Sequence, residues 1–134
     1  MRLTVRPGVF SVVRLGPRSA VPRWATAGGV YSVTRTETEL SIVCRSDRVP
    51  ARVRRREDGF RCLAVAGPID FDAVGVIASL TAPLAKARIP ILAISTFDTD
   101  LLFVREERLG HAIRALSRAG HRVPGIGRGA AGVE

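Results

Sequence analysis

The residues best suited to binding chemistry lie in two short polar segments in the second half of the chain. An acidic pair, Asp70 and Asp72, precedes a segment with helical periodicity. Five polar residues occupy the place where an apolar segment gives way to a turn: Ser95, Thr96, Asp98, Thr99 and Asp100. N–H groups at a helix start bind carboxylates, and carboxylates in a turn bind ammonium groups. The two segments therefore suit a small zwitterion.

The same acidic residues also have structural explanations, which the sequence leaves open. Asp98 and Asp100 could simply form the turn, because Asp side chains bond the local backbone. Asp72 could serve as the N-cap of the helix, and so could Asp70.

Catalytic and metal-binding patterns are absent from the sequence. Ser95 has no base nearby and no G-x-S-x-G context, so we do not expect a nucleophile. His111 and His121 are ten residues apart without a third ligand nearby, which is a poor zinc pattern. We therefore expect no enzyme, cofactor or metal site.

The second half of the chain alternates clearly between strand and helix patterns. We predict strands over 60–65, 89–96 and 100–105, with helices from Asp70 or Asp72 onward and over 109–119. Pro83 removes a helical hydrogen bond to Ser79, and Gly120 is a candidate C-cap. The predicted apolar stripe of the first helix comprises Val74, Ile77, Leu80 and Leu84, and that of the second comprises Leu109, Ile113 and Leu116.

The first half favours strands. They are predicted over 2–6, 9–15, 30–35 and 40–45, with a short helical turn near 21–25 and a loop over 46–59. Some apolar strand residues in both halves of the chain, such as Phe10, Val12 and Ile94, are expected to remain exposed in a single chain. Exposed apolar faces normally mark interfaces, so we predict a homodimer or a larger assembly.

Composition limits the class of protein. The chain has 134 residues, 46% of them hydrophobic, and no apolar run long enough for a transmembrane helix. Its N-terminus lacks a signal-peptide pattern, so we expect a cytoplasmic protein. Cys44 and Cys62 lie in apolar segments without a C-x-x-C motif and are predicted to be buried thiols.

The net charge of +9 raises the question of nucleic-acid binding. Of the 21 basic residues only Lys86 is lysine, and the arginines are scattered along the chain. The densest run, 52–56, carries no interleaved aromatic residues on which bases could stack. Specific nucleic-acid binding is therefore not expected, although it stays an alternative.

Three segments give the chain a resemblance to ACT-domain proteins, specifically the small bacterial tandem-ACT proteins related to cytosolic arginine sensors. They are YSVTRTETELSIVC at 31–44, the long segment at 67–104 and RLGHAIRALSRAGH at 108–121. The resemblance implies an α+β fold of two ferredoxin-like ACT units of βαββαβ type. We assign residues 1–59 to an abbreviated first unit, 60–124 to the second and 125–134 to a disordered tail.

The resemblance further implies regulatory amino-acid binding between two ACT units, within a chain or across a homodimer. Backbone N–H groups of one segment would hold the ligand carboxylate: Phe71, Asp72, Ala73, Val74 and Gly75. A second segment would face its amine or side chain: Ser95, Thr96, Phe97, Asp98, Thr99 and Asp100. A regulated protein partner is implied as well. The alternatives are a structural interaction module without ligand and a nucleic-acid-binding protein.

Overall fold

The computed structural model describes residues 1–124 of the chain. These residues form seven strands, two α-helices and three short 3-10 turns. The strands are β1 (Leu3–Val5), β2 (Phe10–Leu15), β3 (Ser32–Arg35), β4 (Leu40–Arg45), β5 (Arg56–Val65), β6 (Ile91–Ser95) and β7 (Asp100–Arg105). The helices are α1 (Val76–Lys86) and α2 (Leu109–Arg118). None of the helices among residues 1–124 is long and apolar enough to cross a membrane.

The chain divides into two compact units. The C-terminal unit comprises Met1–Pro7 and the residues from Arg61 onward, and the N-terminal unit is Gly8–Phe60. The sequence assigned residues 1–7 to the N-terminal unit, whereas in the structure they belong to the C-terminal unit. The physical reason is strand pairing, because β1 pairs antiparallel with β5 from Leu3 opposite Val65 to Val5 opposite Leu63. The predicted tail over 125–134 lies outside the described residues.

The C-terminal unit is a helix-covered antiparallel sheet, which confirms the predicted α+β class. Its strands follow the order β1-β5-β7-β6. The buried core lies between this sheet and the two helices, and its largest members are Leu3, Leu63, Leu80, Leu84, Leu102, Leu109 and Leu116.

Helix α1 begins later than the sequence indicated. The chain first forms a turn in which the Asp70 carboxylate accepts a hydrogen bond from the Asp72 backbone N–H at 3.1 Å. Gly75 then takes a left-handed conformation (φ 81°) and becomes the N-cap. The side chains of Val74 and Ile77, predicted to be apolar contacts, are exposed, because the inner stripe starts at Val76 and continues through Leu80 and Leu84.

Helix α2 follows the sequence prediction closely. Leu109, Ile113 and Leu116 are buried, which confirms the predicted stripe. Gly120 has φ 97°, and His121 N–H donates to the Leu116 carbonyl at 3.0 Å. This hydrogen bond, with that from Gly120 to Ser117, forms a Schellman motif.

The Schellman motif places His121 against the proline-interrupted part of α1. Pro83 has no N–H to donate to the Ser79 carbonyl four residues earlier. His121 Nε2 lies 2.9 Å from that carbonyl oxygen and must be the donor, because a carbonyl only accepts. The other ring nitrogen, Nδ1, lies 2.9 Å from the N-terminal amine of Met1. The buried imidazole thus replaces the hydrogen bond that Pro83 removes from the helix.

We predict that His121→Ala lowers the free energy of unfolding by about 1–3 kcal/mol, the usual penalty for a buried polar group left without a partner. Urea unfolding measures the change. His111→Ala is the matched control, because His111 is exposed on α2. Equal losses in the two variants would contradict the assigned role.

The N-terminal unit is an antiparallel sheet in which β4 lies between β3 and β2, and β2 also pairs with the first half of β5. The predicted loop over 46–59 is therefore too long, since β5 starts at Arg56. The pairing of β2 with β5 shifts register, with Phe10 opposite Phe60 and Val12 opposite Glu57. Gly59 at φ 84° accommodates this bulge. The expectation that Phe10 lacks cover is wrong, because its side chain is buried within the chain.

The two cysteines are free and buried, as predicted. Burial raises the pKa of Cys62 to about 11, partly offset by Arg6. Burial also raises the pKa of Cys44.

Since the thiolate is the reactive form, neither thiol should react with Ellman's reagent near pH 8 in the folded protein, whereas both should react in urea. Prompt native labelling of either cysteine would contradict this.

Candidate functional site

A cavity of about 260 Å³ lies in the C-terminal unit, between the start of α1 and the turn that joins β6 to β7. Both polar segments picked out in the sequence contribute to it. Its lining consists of Ile69, Asp70, Phe71, Ala73, Gly75, Val76, Ile77, Ser95, Thr96, Phe97, Asp98, Thr99 and Asp100.

Two hydrogen bonds tie the walls of the cavity together at its base. Ile69 N–H donates to the Asp98 carbonyl at 2.7 Å, and Thr99 Oγ1 donates to the Val65 carbonyl at 2.5 Å. The turn itself is closed by Thr96 N–H, which donates to the Thr99 carbonyl at 2.8 Å. The loop after β5 and the β6–β7 turn are therefore positioned as one piece.

Asp100 is the buried charged group of the cavity, with 8% of its surface exposed. Ser95 Oγ donates to Asp100 Oδ1 at 2.6 Å, and the two residues face each other in the pairing of β6 with β7. Among residues 1–124 the second carboxylate oxygen, Oδ2, has no hydrogen bond or ion pair, and it is open to solvent on the cavity side. A carboxylate oxygen accepts more than one hydrogen bond, so Asp100 can accept a further donor from a ligand.

The start of α1 supplies donors to the same cavity. The first helical hydrogen bond runs from Ser79 N–H to the Gly75 carbonyl, and Gly75 has no side chain to cap the helix. The N–H groups of Val76, Ile77 and Ala78 therefore have no acceptor among the described residues. Together with the helix dipole, they form a suitable place for a carboxylate.

The mouth of the cavity carries exposed apolar side chains. Phe71 and Phe97 are 73% and 80% exposed, and their ring centroids lie 5.6 Å apart. Val74, in the loop before α1, is 96% exposed. Apolar exposure of this extent in one place is typical of a surface that another molecule covers.

The structure brings together nine of the eleven residues predicted for the site. Asp72 and Val74 lie outside the lining, in the exposed loop before α1. The lining also contains Ile69, Val76 and Ile77, which the sequence did not indicate, and Asp70, which it indicated only as part of an acidic pair before the helix. Gly75 could have indicated the later start of the helix, because glycine readily adopts the left-handed conformation that changes the chain direction before α1.

The lining carries charge of one sign only. Asp70, Asp98 and Asp100 contribute three carboxylates, and no Lys, Arg or His among residues 1–124 lines the cavity. No cluster of three or more metal-ligating side chains occurs among residues 1–124.

The fold and the sequence define the class of the protein. A sequence model of the ACT domain matches residues 55–118, and a separate model described as an N-terminal domain matches residues 8–52. Residues 55–118 therefore form a domain of the ACT family.

Two relatives share substantial sequence with the chain. A crystal structure of a protein from Agrobacterium tumefaciens is 41% identical, with a TM-score of 0.86, and covers 91% of this chain and 90% of that one. The cytosolic arginine sensor for mTORC1 subunit 1 of Bos taurus is 38% identical over 120 residues, 79% of this chain and 36% of the relative. The chain thus spans about a third of that sensor's length.

A more distant likeness agrees with the fold. The aspartate kinase of Clostridium acetobutylicum, described as an allosteric enzyme, has a TM-score of 0.62 at 12% identity. The match covers 84% of this chain and 33% of the kinase. At this identity the likeness concerns the fold alone.

Proposed function

We propose that the protein is a regulatory amino-acid-binding protein without catalytic activity, and that its ligand occupies the cavity between α1 and the β6–β7 turn. The observation that carries the proposal is the buried Asp100 carboxylate, whose Oδ2 has no partner among residues 1–124. Its natural counterpart is an ammonium or guanidinium group. The free N–H groups of Val76–Ala78 then receive the α-carboxylate of the same ligand.

The charge of the lining favours an amino acid with a cationic side chain. Within the described part of the chain, three carboxylates and no cation line the cavity, so a ligand with two positive groups balances the site better than a neutral zwitterion. The similarity to a protein named as an arginine sensor supports the same ligand class. Arginine and lysine are therefore the first amino acids to test.

A second ACT unit completes the site in this proposal. Phe71 and Phe97 line the cavity and are largely exposed, and Val74 in the loop before α1 is exposed as well. We propose that a second copy of the chain packs on these residues, so that ligand is enclosed in a homodimer, and that the liganded form acts on a protein partner. Sedimentation measures the assembly, and a Phe71→Ser/Phe97→Ser variant should be the more dissociated form.

A thermal-shift scan of the twenty amino acids tests the proposed function, because a ligand that binds only the folded state raises its melting temperature. Arginine or lysine should give the largest increase. Agmatine, which lacks the carboxylate, and N-acetylarginine, which lacks the free ammonium, should give much smaller ones. No shift with any amino acid would contradict the proposal.

The same exposed mouth residues favour a second candidate function. A structural interaction module would use Phe71, Val74 and Phe97 to bind a partner without any small molecule. In that case the scan gives no shift, while the Phe71→Ser/Phe97→Ser variant still changes the state of assembly.

A further inference from the structure

The N-terminal unit contains a second cavity, of about 370 Å³. It is formed by β2, the start of β4 and the chain that leads into β5. Its volume lies in the range of small-molecule sites. None of the residues of the amino-acid site lines it, so its function can be tested independently of the proposed function.

Arginine dominates the lining of this second cavity. Arg14, Arg54, Arg55 and Arg56 contribute four guanidinium groups against the two carboxylates of Glu39 and Glu57, a net charge of +2. The net charge of this concave surface is therefore opposite to that of the cavity in the C-terminal unit.

Two of the four arginines are held in place by the protein. Arg14 Nη2 donates to the Thr38 carbonyl at 2.7 Å, and Arg56 donates to the Pro50 carbonyl at 3.1 Å and pairs with Asp58 at 3.0 Å. The backbone around them is fixed as well, because Arg14 N–H donates to the Arg55 carbonyl at 2.9 Å. Strand pairing then sets Arg14 opposite Ser41.

The other two arginines retain their full hydrogen-bonding capacity. The guanidinium groups of Arg54 and Arg55 have no hydrogen bond or ion pair with any residue in 1–124. Arg14 likewise has no carboxylate partner there. Three guanidinium groups beside the cavity thus form no ion pair with a carboxylate of residues 1–124, and each offers a planar fork of donors that matches phosphate oxygens.

We propose that this cavity binds a small phosphorylated ligand, with Arg54 and Arg55 as its principal contacts and Arg14 and Ser41 as supporting donors. A small anion with two or three negative charges suits the net charge of +2. A nucleic-acid strand fits less well, because no Phe, Tyr or Trp of the described residues lines the cavity to stack with bases.

Pyrophosphate is the probe, titrated into the full-length protein by calorimetry at physiological ionic strength. Arg54→Gln/Arg55→Gln should bind it at least about tenfold more weakly than the wild type, because charge-assisted hydrogen bonds to phosphate are lost. Arg48→Gln/Arg52→Gln is the matched control. It removes the same charge from exposed positions of the same chain segment, outside the lining, and should leave the affinity unchanged.

Three results would overturn the proposal. The first is absence of saturable pyrophosphate binding by the wild type. The second is equal weakening in the two double variants, which would show a general effect of charge. The third is tight binding of a single-stranded oligonucleotide that both double variants weaken equally, since that would identify a polyelectrolyte surface rather than a pocket.

Discussion

Asp100→Asn is expected to weaken amino-acid binding about ten- to a hundredfold. A hydrogen bond to a charged group contributes about 1.5–3 kcal/mol, and each 1.4 kcal/mol changes the dissociation constant tenfold. The amide keeps the shape of the carboxylate and still accepts the hydrogen bond from Ser95, so the free energy of unfolding should change little. Calorimetry with the amino acid that gives the largest thermal shift measures the effect.

Asp72→Asn is the control for this substitution. It removes the same charge from an exposed residue close to the cavity that does not line it, so affinity should be unchanged. If Asp100 served only the turn, the Asp100→Asn variant would lose modest stability and bind as the wild type does. That result would show that the Asp100 carboxylate does not contact the ligand, and it would contradict the proposed ligand position.

Gly67→Ala is expected to destabilise the protein by about 1–3 kcal/mol, the usual effect of inserting a group where none fits. A Cβ at this position would lie 2.9 Å from the Asp98 carbonyl oxygen, a backbone atom that cannot rotate away. The walls of the amino-acid cavity would separate there, and the hydrogen bond from Ile69 to Asp98 would lengthen. Ligand affinity should therefore fall together with stability.

Gly16→Ala tests whether this loss is specific. A Cβ at Gly16 has only an ordinary contact, 3.7 Å from Ser19 Oγ, so the substitution should be nearly neutral. Urea unfolding and calorimetry on both variants measure the two effects. A Gly67→Ala protein with wild-type stability and affinity would show that the two walls are not coupled as described.

Periodicity and turn chemistry in the sequence were enough to predict most of the C-terminal unit. Leu109, Ile113 and Leu116 recur at helical spacing, and Gly120 marks the end of that helix. Local patterns of this kind act within a few residues, so they can be recognised without knowledge of the fold.

The errors arose where distant pairing or backbone conformation decides the structure. Residues 1–7 join the C-terminal unit because β1 pairs with β5, about sixty residues away along the chain. Arg56 and Glu57 extend β5 into what looked like a loop, because β2 pairs with them across a bulge. The delayed start of α1 depends on the left-handed Gly75.

The sequence predicted the position of the candidate site better than it predicted the contacts and burial of its residues. Asp100 and Ser95 were recognised from their position at a strand end, and the structure places them side by side. Burial of Asp100 without a partner for Oδ2 depends on packing and could not be predicted. The second cavity was not predicted from the sequence. Its lining combines residues of the arginine run at 52–56 with Arg14, about forty residues away, which β-sheet pairing brings beside that run.

A ¹H–¹⁵N NMR titration of the full-length protein with arginine, or with the amino acid that gives the largest thermal shift, tests the central claim most directly. We predict saturable shifts of the backbone amides of Val76–Ala78 and of residues 95–100, with the amides of β3 and β4 unaffected. Saturable shifts confined to other segments, or no saturation at millimolar ligand, would contradict an amino-acid site between α1 and the β6–β7 turn.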